Sequence, residues 1–149
     1  MDPIISQELF TEQVEEVRQS ELLSILGWTV ARSEYPELIV NMTHPNGSSR
    51  SFLLDCRRFD ELPPYIKLLD IKGMPILDAD ALPQGGPHFF RYHNSSSPYP
   101  SMCYEFAAEY YDWWHTGSLD GWHSRRDKSD YRILGILNQL YQLYRQTNG

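Results

Sequence analysis

Apolar residues recur at steps of three and four near both ends of the chain and alternate with polar ones in between. Over residues 7–26, Phe10, Val14, Val17, Leu22 and Ile25 trace one helical stripe, widened by Leu9. The opposite face carries Glu8, Glu12, Glu15, Glu16 and Glu21 against a lone Arg18, the pattern of a solvated face. Ser6 stands where a helix N-cap belongs and Gly27 where a helix stops. A second stripe, Ile133, Ile136, Leu137, Leu140 and Tyr144, predicts a helix over Tyr131–Arg145, with Leu134, Tyr141 and Leu143 broadening it. Asp130 fits its N-cap or first turn.

Between the two stripes the texture is that of strands. Trp28–Ala31 and Leu38–Thr43 are short β-type runs, and His44-Pro45-Asn46-Gly47 is a turn with the Asn-Gly hairpin signal. Ser51–Cys56 returns as a strand. Tyr65–Leu69 follows the proline-bounded loop Phe59-Asp60-Glu61-Leu62-Pro63-Pro64. Successive strands joined by tight turns predict an antiparallel meander. Residues 73–88 hold three Pro and three Gly and read as irregular; Tyr104–Trp114 reads as a short helix. The longest loop-like stretches are Asp70–Gly86 and Tyr92–Ser101, and neither resembles a domain linker. The order of helix, meander, irregular stretch and helices predicts one α+β domain over residues 1–149.

Composition narrows the function classes. A chain of 149 residues can bury a core without staples. Its formal net charge of −7 argues against a nucleic-acid partner and against an anionic membrane surface. No apolar run is long enough to span a bilayer, and the first residues lack the pattern of a signal peptide. The two cysteines, Cys56 and Cys103, form no Cys-x-x-Cys pair. A cytoplasmic protein with reduced thiols is the expectation.

Candidate chemistry concentrates in Tyr92-His93-Asn94-Ser95-Ser96-Ser97-Pro98-Tyr99-Pro100-Ser101-Met102-Cys103. Cys103 closes a polar loop just before an expected helix, a setting that favours a thiolate. Asn94 is a candidate oxyanion donor, and His93 a candidate base or structural polar residue. Cys56 shares a strand face with Phe52 and Leu54 and reads as a core thiol.

In order, these features resemble the ubiquitin-conjugating (E2) fold over roughly residues 7–145. That family opens with an amphipathic helix, continues with a four-stranded antiparallel meander and closes with helices. Leu62-Pro63-Pro64-Tyr65-Ile66-Lys67 is similar to its Pro-Pro step into the fourth strand. Cys103 falls ten residues after His93, the spacing from the family's His-Pro-Asn to its catalytic Cys. Trp113 and Trp114, then Ile133–Leu143, resemble the Trp and final helix that follow.

The resemblance implies a transferase that holds an acyl group as a thioester on Cys103, with Asn94 or Ser95 orienting the loop or donating to the oxyanion. It also implies an acid near the thiol to lower the pKa of an incoming lysine, with Asp120, Asp127 and Asp130 as candidates. It implies no cofactor and no metal. The sequence departs from the family in lacking the Pro of His-Pro-Asn, in carrying Ser95 at the Asn position, and in a longer stretch from Pro64 to His93. Its acidic first helix does not suit a standard eukaryotic activating enzyme. These departures are similar to those of divergent bacterial members from conjugation and anti-phage systems. There the partner is a ubiquitin-like protein or the C-terminus of a cGAS-like nucleotidyltransferase, with or without an E1-like activating enzyme.

Two rival readings stay open. One is a non-catalytic variant or RWD-like interaction module with Cys103 incidental. The other is a cysteine hydrolase using Cys103 and His93. Tyr110, Tyr111, Trp113 and Trp114 are expected to pack the final helix on the sheet. His93, Cys103, His115 and His123 match no standard zinc spacing.

Overall fold

In a computed structural model of the chain the described residues are 2–86, 89–90, 99–102, 104–111 and 120–149. Helix α1 spans Pro3–Gln19. It starts earlier than the apolar stripe predicts, because Asp2 and Pro3 together make a helix start. The Asp2 carboxylate accepts the Ile4 amide N–H at 2.9 Å, and Pro3 takes the first helical position, where no N–H is missed. Ser6, expected as the cap, is instead buried within α1.

The single helix expected over 7–26 is broken at Ser20, whose backbone is extended and whose hydroxyl accepts the Leu22 N–H at 3.2 Å. A separate short helix α2, Leu22–Leu26, follows and ends on Gly27 with φ of +69°. Glycine is required there: the left-handed conformation is strained for other residues, and an added Cβ would press on Thr43 at 3.2 Å.

The meander is present in full. Strands β1 (Thr29–Glu34), β2 (Glu37–Thr43), β3 (Ser49–Asp55) and β4 (Tyr65–Leu69) lie in the order β1-β2-β3-β4, each pair antiparallel. The expected Asn-Gly turn joins β2 to β3: His44 N–H donates to Ser48 at 2.8 Å and Gly47 N–H to His44 at 2.9 Å. Alternation along β2 and β3 turns Leu38, Val40, Met42, Phe52 and Leu54 into the core, with Ile66 and Leu68 of β4 beside them. After β4 the chain doubles back, and the Ile76 N–H donates to Leu68 O at 2.9 Å. That contact covers part of an otherwise open strand edge.

Helices α3 (Asp120–Arg125) and α4 (Ile133–Tyr144) add to the core. Trp122 of α3 is fully buried, as are Ile133, Ile136, Leu137, Leu140 and Tyr144 of α4, in one cluster with Phe10, Val14 and Val17 of α1. Asp130 does not cap α4. It lies in a 3-10 turn, Ser129–Tyr131, and the cap residue is Arg132, which offers no side-chain acceptor. The vacant role is taken from across the core: Gln13 of α1 accepts the Ile133 N–H at 2.9 Å. Arg132 meanwhile pairs with Glu12 at 3.4 Å and with Glu16. Gly135 lets the 3-10 turn close on α4, since a Cβ there would stand 2.1 Å from Ser129 O.

Of the expected helix Tyr104–Trp114 only 104–111 is described. It opens with a tight turn, Ala107 N–H to Tyr104 O at 3.0 Å, and becomes helical at Ala108. Among the described residues no helix is long and apolar enough to cross a membrane.

Candidate functional site

The sequence-selected site residues Cys103, His93, Asn94 and Ser95 lie outside the described residues, as do Trp113, Trp114 and His115. The structure does describe the chain on both sides of position 103. On the near side, Pro100, Ser101 and Met102 are buried, and the Ser101 hydroxyl donates to Tyr99 O at 3.0 Å. The Lys67 ammonium of β4 sits 4.4 Å from the centre of the Tyr99 ring, a cation–π contact.

On the far side, Phe106, Ala107 and Ala108 are buried, and Tyr104 stacks on Phe106 with ring centres 5.5 Å apart. The Ala108 N–H donates to Pro64 O at 2.9 Å, and Glu109 accepts the Ile66 N–H at 2.9 Å. The far flank is therefore fastened to the Pro63-Pro64 step and to β4, and the near flank touches β4 through Tyr99 and Lys67. The reason is local: a proline step offers free carbonyls and no N–H, and an edge strand leaves amides for a side chain to take.

Cys56 is the core thiol expected. It is wholly buried just past β3, and burial, with the Asp55 charge adding to it, pushes the thiol well above its ordinary range. It has neither the access nor the ionisation of a nucleophile. The candidate acids Asp120, Asp127 and Asp130 are all exposed on α3 or the turns after it. Of the four residues weighed against a zinc site, only His123 is described; it is exposed on α3, and no group of three metal-ligating side chains occurs among the described residues. Tyr111 is buried as expected, its hydroxyl donating to Glu105 O at 2.8 Å, and desolvation raises it to about 12.

Two buried carboxylates escaped the sequence reading. Glu109 is 1% exposed and serves β4 as described. Asp60, in the β3–β4 loop, is pushed up to about 6, chiefly by desolvation, which Arg126 opposes and Asp127 reinforces. The available signal was an acid set among residues bound for the core: Glu109 between Ala107-Ala108 and Tyr110-Tyr111, Asp60 between Phe59 and Leu62. No protein-family model and no curated protein matches this chain.

Proposed function

We propose that the chain is a transferase of the ubiquitin-conjugating type that carries an acyl group on Cys103. The observation that supports this best is that both flanks of position 103 rest on β4, the far one by hydrogen bonds that also reach Pro64 and the near one by the Lys67–Tyr99 contact. An acyl carrier needs a thiol on a stable frame rather than a strong base, because its thioester is already activated. The order of helix, four-stranded meander and helices fits the same reading.

In the proposed reaction the Cys103 thiolate attacks the activated C-terminal carbonyl of a donor protein and expels the donor's leaving group. An acceptor nucleophile then attacks the new thioester, loses its proton and expels the thiolate, restoring the enzyme. Asn94 or Ser95 would donate to the oxyanion, and Asp120, Asp127 or Asp130 would assist a lysine acceptor. The donor is a ubiquitin-like protein or a cGAS-like nucleotidyltransferase, as in anti-phage conjugation systems.

The test is incubation of the native protein with a glycine-terminated peptide thioester, followed by intact-mass analysis. The expected product is one peptide adduct on Cys103, released by hydroxylamine and absent from Cys103→Ala. Failure of Cys103 to accept the peptide, or to react with a maleimide before denaturation, overturns the reading.

A second reading, an interaction module without catalysis, draws on a separate observation. The turn after β4 holds Ile71, Met74 and Leu77 in solvent, Ile71 fully exposed. The turn is ordered, since Asp70 accepts the Lys72 and Met74 N–H groups at 2.8 and 2.9 Å. Exposed apolar groups on an ordered turn are typical of protein contacts.

A further inference from the structure

Asp60 lies in the β3–β4 loop where it meets α3, and it is 9% exposed. Its main-chain carbonyl accepts the Trp122 indole N–H at 2.9 Å and Arg126 Nη1 at 3.4 Å. The carboxyl is served less well. Oδ2 stands 3.7 Å from Arg126 Nε, too far for a charge-assisted hydrogen bond, and Oδ1 is buried with no hydrogen-bond partner among the described residues.

The charged groups that act on it are few. Arg126, just past α3, and Arg132, at the start of α4, attract its negative charge, and Asp127 repels it. Arg132 is already engaged with Glu12 and Glu16 of α1. Within the loop, Arg58 and Glu61 pair with each other at 2.9 Å. The face of α3 turned to Asp60 offers Trp122, which carries no charge. A buried ionised carboxylate with one loose cation and an unserved oxygen is costly; the neutral acid keeps both carbonyl bonds and sheds the charge.

We propose that Asp60 is a proton-controlled latch on α3: protonated, it holds the β3–β4 loop closed on Trp122, and ionised, it favours an open form in which water reaches the carboxylate. The acid titrates at about 6 when closed, against an ordinary 3.8. The closed form therefore binds the proton more tightly than the open one. Opening grows easier as pH rises from about 4 to about 6 and levels off above that. The latch is tight in mildly acidic surroundings and looser at neutral pH. It governs α3, the helix that leads into the Ser129–Tyr131 turn and α4. It stands independently of the acyl-transfer reading.

Hydrogen exchange of the full chain at pH 5 and pH 7 tests it, read at the Trp122 indole N–H and at the Arg126 amide, which donates to Trp122 O at 2.9 Å. After correction for intrinsic exchange, the opening constant is expected to be about tenfold larger at pH 7 than at pH 5, and to lose that dependence in Asp60→Asn. The variant also removes histidine titration as an explanation, since histidines change charge in the same range. Equal protection at both pH values in the wild type, or an unchanged dependence in Asp60→Asn, overturns the proposal.

Should Asp60→Asn fail to fold, a carboxyl-carbon NMR titration of the wild type decides. A midpoint near 6 for Asp60 supports the latch and one near 4 overturns it. Arg126→Met is expected to move that midpoint upward, and no movement would remove Arg126 as the opposing cation.

Discussion

In the turn after β2, His44 is buried with both ring nitrogens engaged. Nδ1 accepts the Asn46 N–H at 3.1 Å, which leaves Nε2 as the donor to Thr147 O at 2.9 Å. Its ring also packs edge-on against Tyr144, 5.1 Å between centres. In the loop after β3, Asp60 is about as deeply buried, yet among the described residues one of its carboxyl oxygens has no partner and the other only a distant guanidinium. Two loops of the same meander thus hold one buried polar group whose bonding is complete and one whose bonding is not. The first fixes where the tail of the chain lies; the second makes its surroundings respond to protons.

The largest effect expected on this contrast comes from Trp122→Ala. It empties a fully buried site and removes the donor to Asp60 O, and should cost about 3–5 kcal/mol in urea denaturation. His44→Ala deletes two hydrogen bonds and a ring contact and should cost about 2–3 kcal/mol by the same measurement. A loss below about 0.5 kcal/mol would break the claim that full pairing stiffens the turn.

Asp60→Asn runs the other way. The folded carboxyl titrates at about 6, above its ordinary 3.8, so its ionised form destabilises the fold at neutral pH. The variant should gain about 1–2 kcal/mol above pH 6, and the gain should fade to nothing as pH drops toward 4. Thermal melts of both proteins across that window measure it. The smallest effect belongs to the exposed Arg58–Glu61 pair of the same loop. Arg58→Ala should change stability by less than about 0.5 kcal/mol and serves as the control for charge removal at the surface.

Short-range signals were the legible part of the fold. Asn46-Gly47 marks the hairpin, Pro63-Pro64 marks the entry to β4, and Tyr65–Leu69 forms over the range its pattern predicts, because each depends on a few neighbouring residues. The helix boundaries were less legible. Ser6 and Asp2 both suit a cap, and Pro3 tips the choice to Asp2. Ser20 interrupts a stripe that continues on either side of it, so periodicity alone runs through the break. Asp130 is a good local cap for α4, but Gln13 takes the amide instead, and a partner so distant leaves no local signal. Of the candidate site, the sequence marked Cys56 as core and Tyr92–Cys103 as the place of interest, most of which lies outside the described residues. It did not mark Asp60 or Glu109, whose burial is created by elements distant in sequence.

The Gln13 bond to Ile133 has a consequence for how the chain is made. The two residues are 120 positions apart, and Arg132 spans a similar gap to Glu12 and Glu16. Helix α1 therefore finds its charge partner, and α4 its missing acceptor, only after the whole meander between them has been made. Contacts of such sequence separation are slow to form. Until α4 is made, the apolar stripe of α1 has only its nearer partners, such as Tyr35, which packs edge-on against Phe10 with ring centres 5.4 Å apart, so this corner of the core closes last.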